Sequence, residues 1–148
     1  MRATLFSGSV LGLLGGLLAT TASAQTDAAV ESFIRQANPG CAASSHSITR
    51  GMVDGFPSRV AVAYYVVVGC GGGDNWAAAF GVFVEESGRV RQLRLAPGPR
   101  WPVEAARIAN GRIVVTGSDY GPNDPRCCPT VPRSASFVVR EDVVVAAP

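Results

Sequence analysis

The chain has 148 residues, 13 basic and 11 acidic, a formal net charge of +2, and 47% apolar residues. Its cations are all arginine and are spread along the chain, so it offers neither the basic stripe that nucleic acid requires nor a polybasic patch for an anionic membrane surface. The missing lysine, beside abundant Ala, Val and Gly, reads as the compositional bias of a GC-rich bacterial genome and not as a sign of function.

The N-terminus carries the pattern of a cleaved export signal over residues 1–24. Met1-Arg2 is a short positive region, Leu5–Leu18 is apolar and Gly-rich, and Ala22-Ser23-Ala24 is a small-x-small cleavage site. The apolar run is too short for a membrane span and ends in Thr, Ser and Ala. The first cysteine is Cys41, far from the cleavage site, so no lipid anchor is expected and the mature protein should be soluble, with no stable membrane insertion. Residues 25–148 then form a single domain, a length that buries roughly two-thirds of its unfolded surface.

All four cysteines, Cys41, Cys70, Cys127 and Cys128, fall in that domain, and in an exported protein they imply two disulfides. Three pairings are possible. A bridge between the neighbours Cys127 and Cys128 brings Cα atoms closer than a relaxed disulfide prefers. The favoured pairing therefore sends Cys41 and Cys70 each into the Cys127-Cys128 pair, which makes the loop around them a covalent hub.

In chain order, Asp27 reads as an N-cap, and Val30, Phe33, Ile34 and Ala37 follow at helical spacing until Asn38-Pro39-Gly40 stops the helix. Ala42–Ser58 is small and polar and reads as loop, with one short strand near Ser47–Thr49. Arg59–Val68 is apolar on both faces, the mark of a strand covered on both sides. Hairpins follow. Ala78–Glu85 and Val90–Leu95 flank a turn at Glu86–Arg89, with Leu93 and Leu95 facing in. Ala105–Ala109 and Arg112–Gly117 flank Asn110-Gly111, the strongest turn signal in the chain. Ala135–Arg140 and Val143–Val145 flank Glu141-Asp142. The expected architecture is α+β: a curled antiparallel β-meander of about six strands with one N-terminal helix, stapled by disulfides.

Candidate chemistry is sparse. His46 stands among Ser44, Ser45 and Ser47, but no G-x-S-x-G elbow exists to hold a nucleophile, and Gly117–Gly121 has its serine one place early. Gly69–Gly73 follows a strand but lacks the G-K-[ST] ending of a phosphate loop. Asp74, Glu85, Glu86, Asp119 and Asp124 are scattered, and nothing pairs two of them as acid and base. Asp124, before Pro125, suits a turn cap. Trp76, Trp101, Tyr64, Tyr65 and Tyr120 are core candidates first, although Trp101 between Arg100 and Pro102 reads as partly exposed. Arg100, Trp101, Tyr120 and Arg126 form the candidate recognition patch, since Trp, Tyr and Arg dominate binding hot spots.

The segment Asp124-Pro125-Arg126-Cys127-Cys128-Pro129-Thr130, followed by a final hairpin, resembles a D-P-x-C-C-P-[S/T] tail of uncharacterised exported bacterial proteins, as does Asn110–Val115 upstream of it. The resemblance covers about the last third of the chain. It implies export and a small disulfide-bonded domain, and it carries no activity, cofactor or catalytic residue.

The sequence therefore points to a non-catalytic periplasmic or secreted protein, a binding or envelope-associated module with no cofactor and no metal site. The partner classes in view are an envelope protein or a protease. Two alternatives stand beside it. One is an inhibitor that presents Arg126 to a trypsin-like protease on a rigid loop. The other is a small metal or thiol-redox protein that uses Cys127 and Cys128 with His46 or Cys70.

Overall fold

A computed structural model describes residues 17–70, 76–86, 89–125 and 127–148. Residues 1–16 of the expected export signal, 71–75 of the glycine run, Ser87 and Gly88 of the first hairpin turn, and Arg126 lie outside the described residues.

Helix α1 spans Leu17–Ala37 and so begins well before Asp27. The physical reason is that no Gly or Pro interrupts Leu17–Ala28, so nothing stops the helix from continuing across Ala24 and Gln25. Asp27 is consequently not an N-cap; its carboxylate pairs instead with Arg50. At the other end Asn38 Nδ2 donates to the Ile34 carbonyl at 2.8 Å, and Gly40 takes the left-handed conformation, φ +79°, that ends the helix.

Strands β1 (Ala42–Gly51), β2 (Val60–Val68), β3 (Trp76–Glu86) and β4 (Arg89–Gln92) form an antiparallel sheet in sequential order. The expected loop at Ala42–Ser58 is thus mostly strand. Its weak β propensity is overridden because its backbone is paired along nearly all of β2, with a bulge between Ser45 and Ser47. The two-sided apolar character of β2 has the expected cause. Val60, Val62 and Tyr64 face the second sheet, while Ala61, Ala63 and Tyr65 face α1, where Val30 and Ile34 are buried and Phe33 meets Phe83 edge-on at 5.5 Å.

The second sheet holds β5 (Arg94–Leu95), β6 (Val103–Ala109), β7 (Arg112–Asp119), β8 (Val131–Arg140) and β9 (Val143–Ala146), in the order β5-β9-β8-β7-β6. All its pairings are antiparallel except β5 with β9. The protein is therefore α+β and β-rich, with one helix and nine strands among the described residues, divided between two sheets. The core between the sheets gathers Val62, Phe80, Val82, Leu93, Ile113, Val115, Phe137 and Val139, and Phe80 meets Phe137 at 5.5 Å.

Leu93 is where the chain passes from one sheet to the other. It is buried, and its N–H donates to the Val82 carbonyl at 2.8 Å. That break resets the alternation, so Leu95 does not share Leu93's inward side and is exposed. Two tight turns behave as the sequence indicates. Asn110 and Gly111, and Glu141 and Asp142, all have positive φ, the conformation of a two-residue hairpin whose twist matches its strands.

The disulfides depart from the favoured pairing. Cys41 bonds Cys70, with Cα atoms 4.6 Å apart, and Cys127 bonds Cys128. The cause of the first is register: Ala42 pairs with Val68, so Cys41 just before β1 and Cys70 just past the end of β2 arrive together. With those two sulfurs joined, Cys127 and Cys128 have only each other. The loop that carries them is not a covalent hub for the fold.

Candidate functional site

The 120–130 loop connects β7 to β8 and is held by one carboxylate. Asp124 Oδ2 accepts the backbone N–H of Gly121 and of Thr130, each at 2.7 Å, and the Thr130 hydroxyl donates to Oδ1 at 2.9 Å. These donors, led by the Gly121 N–H, hold the Asp124 carboxyl below the usual carboxylate range. At the loop's base Arg133 pairs with Asp119 at 3.2 Å, and the Tyr120 N–H donates to Asp119 Oδ1 at 2.9 Å. Within the loop, the Cys128 N–H donates to the Pro125 carbonyl at 3.0 Å.

This loop forms one wall of a cleft of about 780 Å³ at one end of the gap between the sheets. Tyr120, Cys127 and Pro129 come from the loop. Pro99, Arg100, Trp101 and Pro102 come from the segment before β6, and Glu104 from β6 itself. Trp76 opens β3, and Tyr64 of β2 lies deeper. Trp76 is 64% exposed and Tyr120 49%, the two largest exposed rings among the described residues.

Each ring is placed by an identifiable feature. Trp76 pairs with Val68, itself exposed, at the far end of the β2–β3 ladder. Trp101 is half-buried and packs on the inter-sheet core. Its indole lies over Gly117: a Cβ built there would fall 2.8 Å from the ring and 2.0 Å from the Pro102 carbonyl oxygen. Glycine at 117 is thus the shelf on which Trp101 sits. Tyr64 is half-buried, with the exposed His46 ring tilted against it at 5.6 Å.

Of the four residues in the recognition patch drawn from sequence, the fold brings Arg100, Trp101 and Tyr120 to this one cleft. Arg126 lies outside the described residues. Trp76 stood out in the sequence only as one aromatic among several. The signal that locates it is its place just after a glycine run, at the first position of a strand whose opposite neighbour is the end of β2.

A smaller hollow of about 310 Å³ lies under α1, lined in part by Thr26, Arg50 and Glu85. Three of its polar groups are engaged: Thr26 Oγ1 donates to Glu85 at 2.7 Å, and Arg50 pairs with Asp27. Those contacts dock the helix, as does Glu31, which accepts from the Ser45 N–H at 3.1 Å and from the Ser45 hydroxyl.

Among the described residues the cleft lining is aromatic, prolyl and small, with one cation, Arg100, and one anion, Glu104, at its rim. Both cysteines of the loop are oxidised and present no thiolate. Among the described residues no group of three or more His, Cys, Asp or Glu is placed to hold a metal ion. No helix among them is long and apolar enough to cross a membrane. The chain matches no protein-family model, no curated protein and no solved structure.

Proposed function

We propose that this protein is a non-catalytic binding module of the bacterial cell envelope, periplasmic or secreted, and that it takes its ligand in the cleft bounded by Trp76, Trp101 and Tyr120. The observation that carries the reading is the exposure of Trp76 at the mouth of a preformed cleft with half-buried Trp101 and Tyr64 deeper in it. An indole left in water at such a place is a typical binding hot spot. Two disulfides fit an oxidising compartment, and the export-signal pattern at residues 1–24 agrees with it.

The test uses envelope extract passed over the immobilised, oxidised protein. A component retained by the native chain and released by Trp76→Ala supports the reading. Equal retention on both overturns the cleft as the binding site.

A second reading, a protease inhibitor presenting Arg126, is favoured by one observation. Asp124 bonds Gly121 and Thr130 on either side of that position and so fixes the loop's two flanks. If trypsin-like proteases are slowed by the native chain but not by Arg126→Ala, this reading replaces the first.

A further inference from the structure

We propose that the ligand of the cleft is a neutral oligosaccharide, with Trp76 as the platform on which a sugar ring stacks. The proposal rests on the reading of the cleft as the ligand site, and it is argued from three properties of the lining.

The first is the free face of the platform. Among the described residues the ring pairs are Phe33–Phe83, His46–Tyr64 and Phe80–Phe137, and Trp76 belongs to none of them. Its indole has its π-face turned to no other ring, and it is wet. The C–H groups on one face of a pyranose carry partial positive charge and match the negative face of an aromatic ring.

The second is charge. Among the described residues the cleft has one exposed cation, Arg100, and one exposed anion, Glu104. A quaternary ammonium would suit the rings and Glu104 but would meet Arg100, an acidic ligand would suit Arg100 but would meet Glu104, and the two rim charges offset each other so that neither sign of ligand is favoured. A neutral ligand meets neither penalty.

The third is hydrogen-bond chemistry. Pro99, Pro102 and Pro129 have no N–H and the Cys127 sulfur is a weak acceptor, so the side-chain donors of the walls are the hydroxyls of Tyr64 and Tyr120 and the indole N–H groups of Trp76 and Trp101. At the rim Arg100 only donates and the Glu104 carboxylate only accepts. A sugar hydroxyl both donates and accepts, and serves the two together. A polyproline segment, the other common occupant of an aromatic groove, has acceptors but no donor, and leaves Glu104 without a partner. A ring that is apolar on its face and hydroxylated at its edge is the shape of chemistry this lining matches.

The test is titration of the full-length oxidised protein, followed by tryptophan fluorescence and calorimetry, with soluble neutral oligosaccharides of glucose and of N-acetylglucosamine. A proline oligomer, tetramethylammonium and an acidic oligosaccharide are run beside them. The expected result is saturable binding of at least one neutral oligosaccharide, little changed by salt. Trp76→Ala should weaken it by about tenfold or more, as for a hot-spot ring, and Trp76→Tyr should restore part of the loss. Glu104→Gln should weaken it severalfold while the fold is unchanged by circular dichroism.

Failure of every neutral oligosaccharide overturns the proposal. If the proline oligomer or tetramethylammonium binds instead, and does so through Trp76, the cleft remains the binding site and the sugar assignment fails. If no probe binds through Trp76, or if the native chain self-associates through that face, both readings fail together.

Discussion

Asp124 shows how a single carboxylate orders a loop that has neither helix nor strand. It accepts from backbone groups on both sides of the cysteine pair, so its charge and the shape of the cleft wall are coupled. Because those bonds favour the ionised form, the folded-state pKa lies below the unfolded value. The stabilisation is fully present above about pH 4 and is lost as the pH falls through the lower folded value. Protection of the Thr130 amide against hydrogen exchange, corrected for the intrinsic rate, should therefore fall in the acid range. In Asp124→Asn it should already be low at neutral pH. Gly117 is the residue-scale constraint on the opposite wall. Gly117→Ala forces Trp101 or the Pro102 carbonyl to move, and overpacking of this kind costs about 1–3 kcal/mol. Urea denaturation measures the loss, and a shift in tryptophan emission reports the displaced indole.

At the scale of elements, the two disulfides have different effects although each joins one pair of sulfurs. Cys41–Cys70 closes a loop of 29 residues' separation across the ends of β1 and β2, worth about 3–4 kcal/mol in the chain-entropy picture. Cys127–Cys128 closes no loop to speak of, its separation being 1, and restrains only its own turn. The double change Cys41→Ser with Cys70→Ser should thus lower stability by about 3–4 kcal/mol in denaturant titration. The corresponding change at Cys127 and Cys128 should leave global stability nearly unaltered, and should show itself in ligand binding instead. The elements themselves were legible in the sequence wherever the pattern was local. Val30, Phe33 and Ile34 marked the packed stripe of α1, Asn110-Gly111 marked its turn, and the two-sided apolar run marked β2 as the covered strand. The strand β1 was not legible, because Ala42–Gly51 has little β propensity of its own and is made a strand by its neighbour. The start of α1 was not legible either, since Asp27 looked like a cap but turned out to serve Arg50, a partner set by the tertiary fold.

For the whole molecule, alternation along a strand says which residues face a core but not which sheet the strand joins. A meander of about six strands and the observed pair of sheets share most of their hairpins. They differ at Leu93, where the chain changes sheet, and at the parallel pairing of Arg94 and Leu95 with β9, which no local signal announces. The cleft has the same origin. Arg100, Trp101 and Tyr120 could be picked out as recognition residues by type, but Trp76 joins them only because the two sheets meet as they do. The bridges, too, were misassigned for want of register. Once β1 is laid against β2, Cys41 has its partner, and the adjacent pair is left to itself.

That connectivity bears on how the protein is made. The four cysteines are joined in the order in which they are synthesised, first with second and third with fourth. An oxidase that simply joins each emerging cysteine to the next would reach the native pattern without a wrong bridge to undo. Maturation of this chain should then depend on a thiol oxidant and not on a disulfide isomerase.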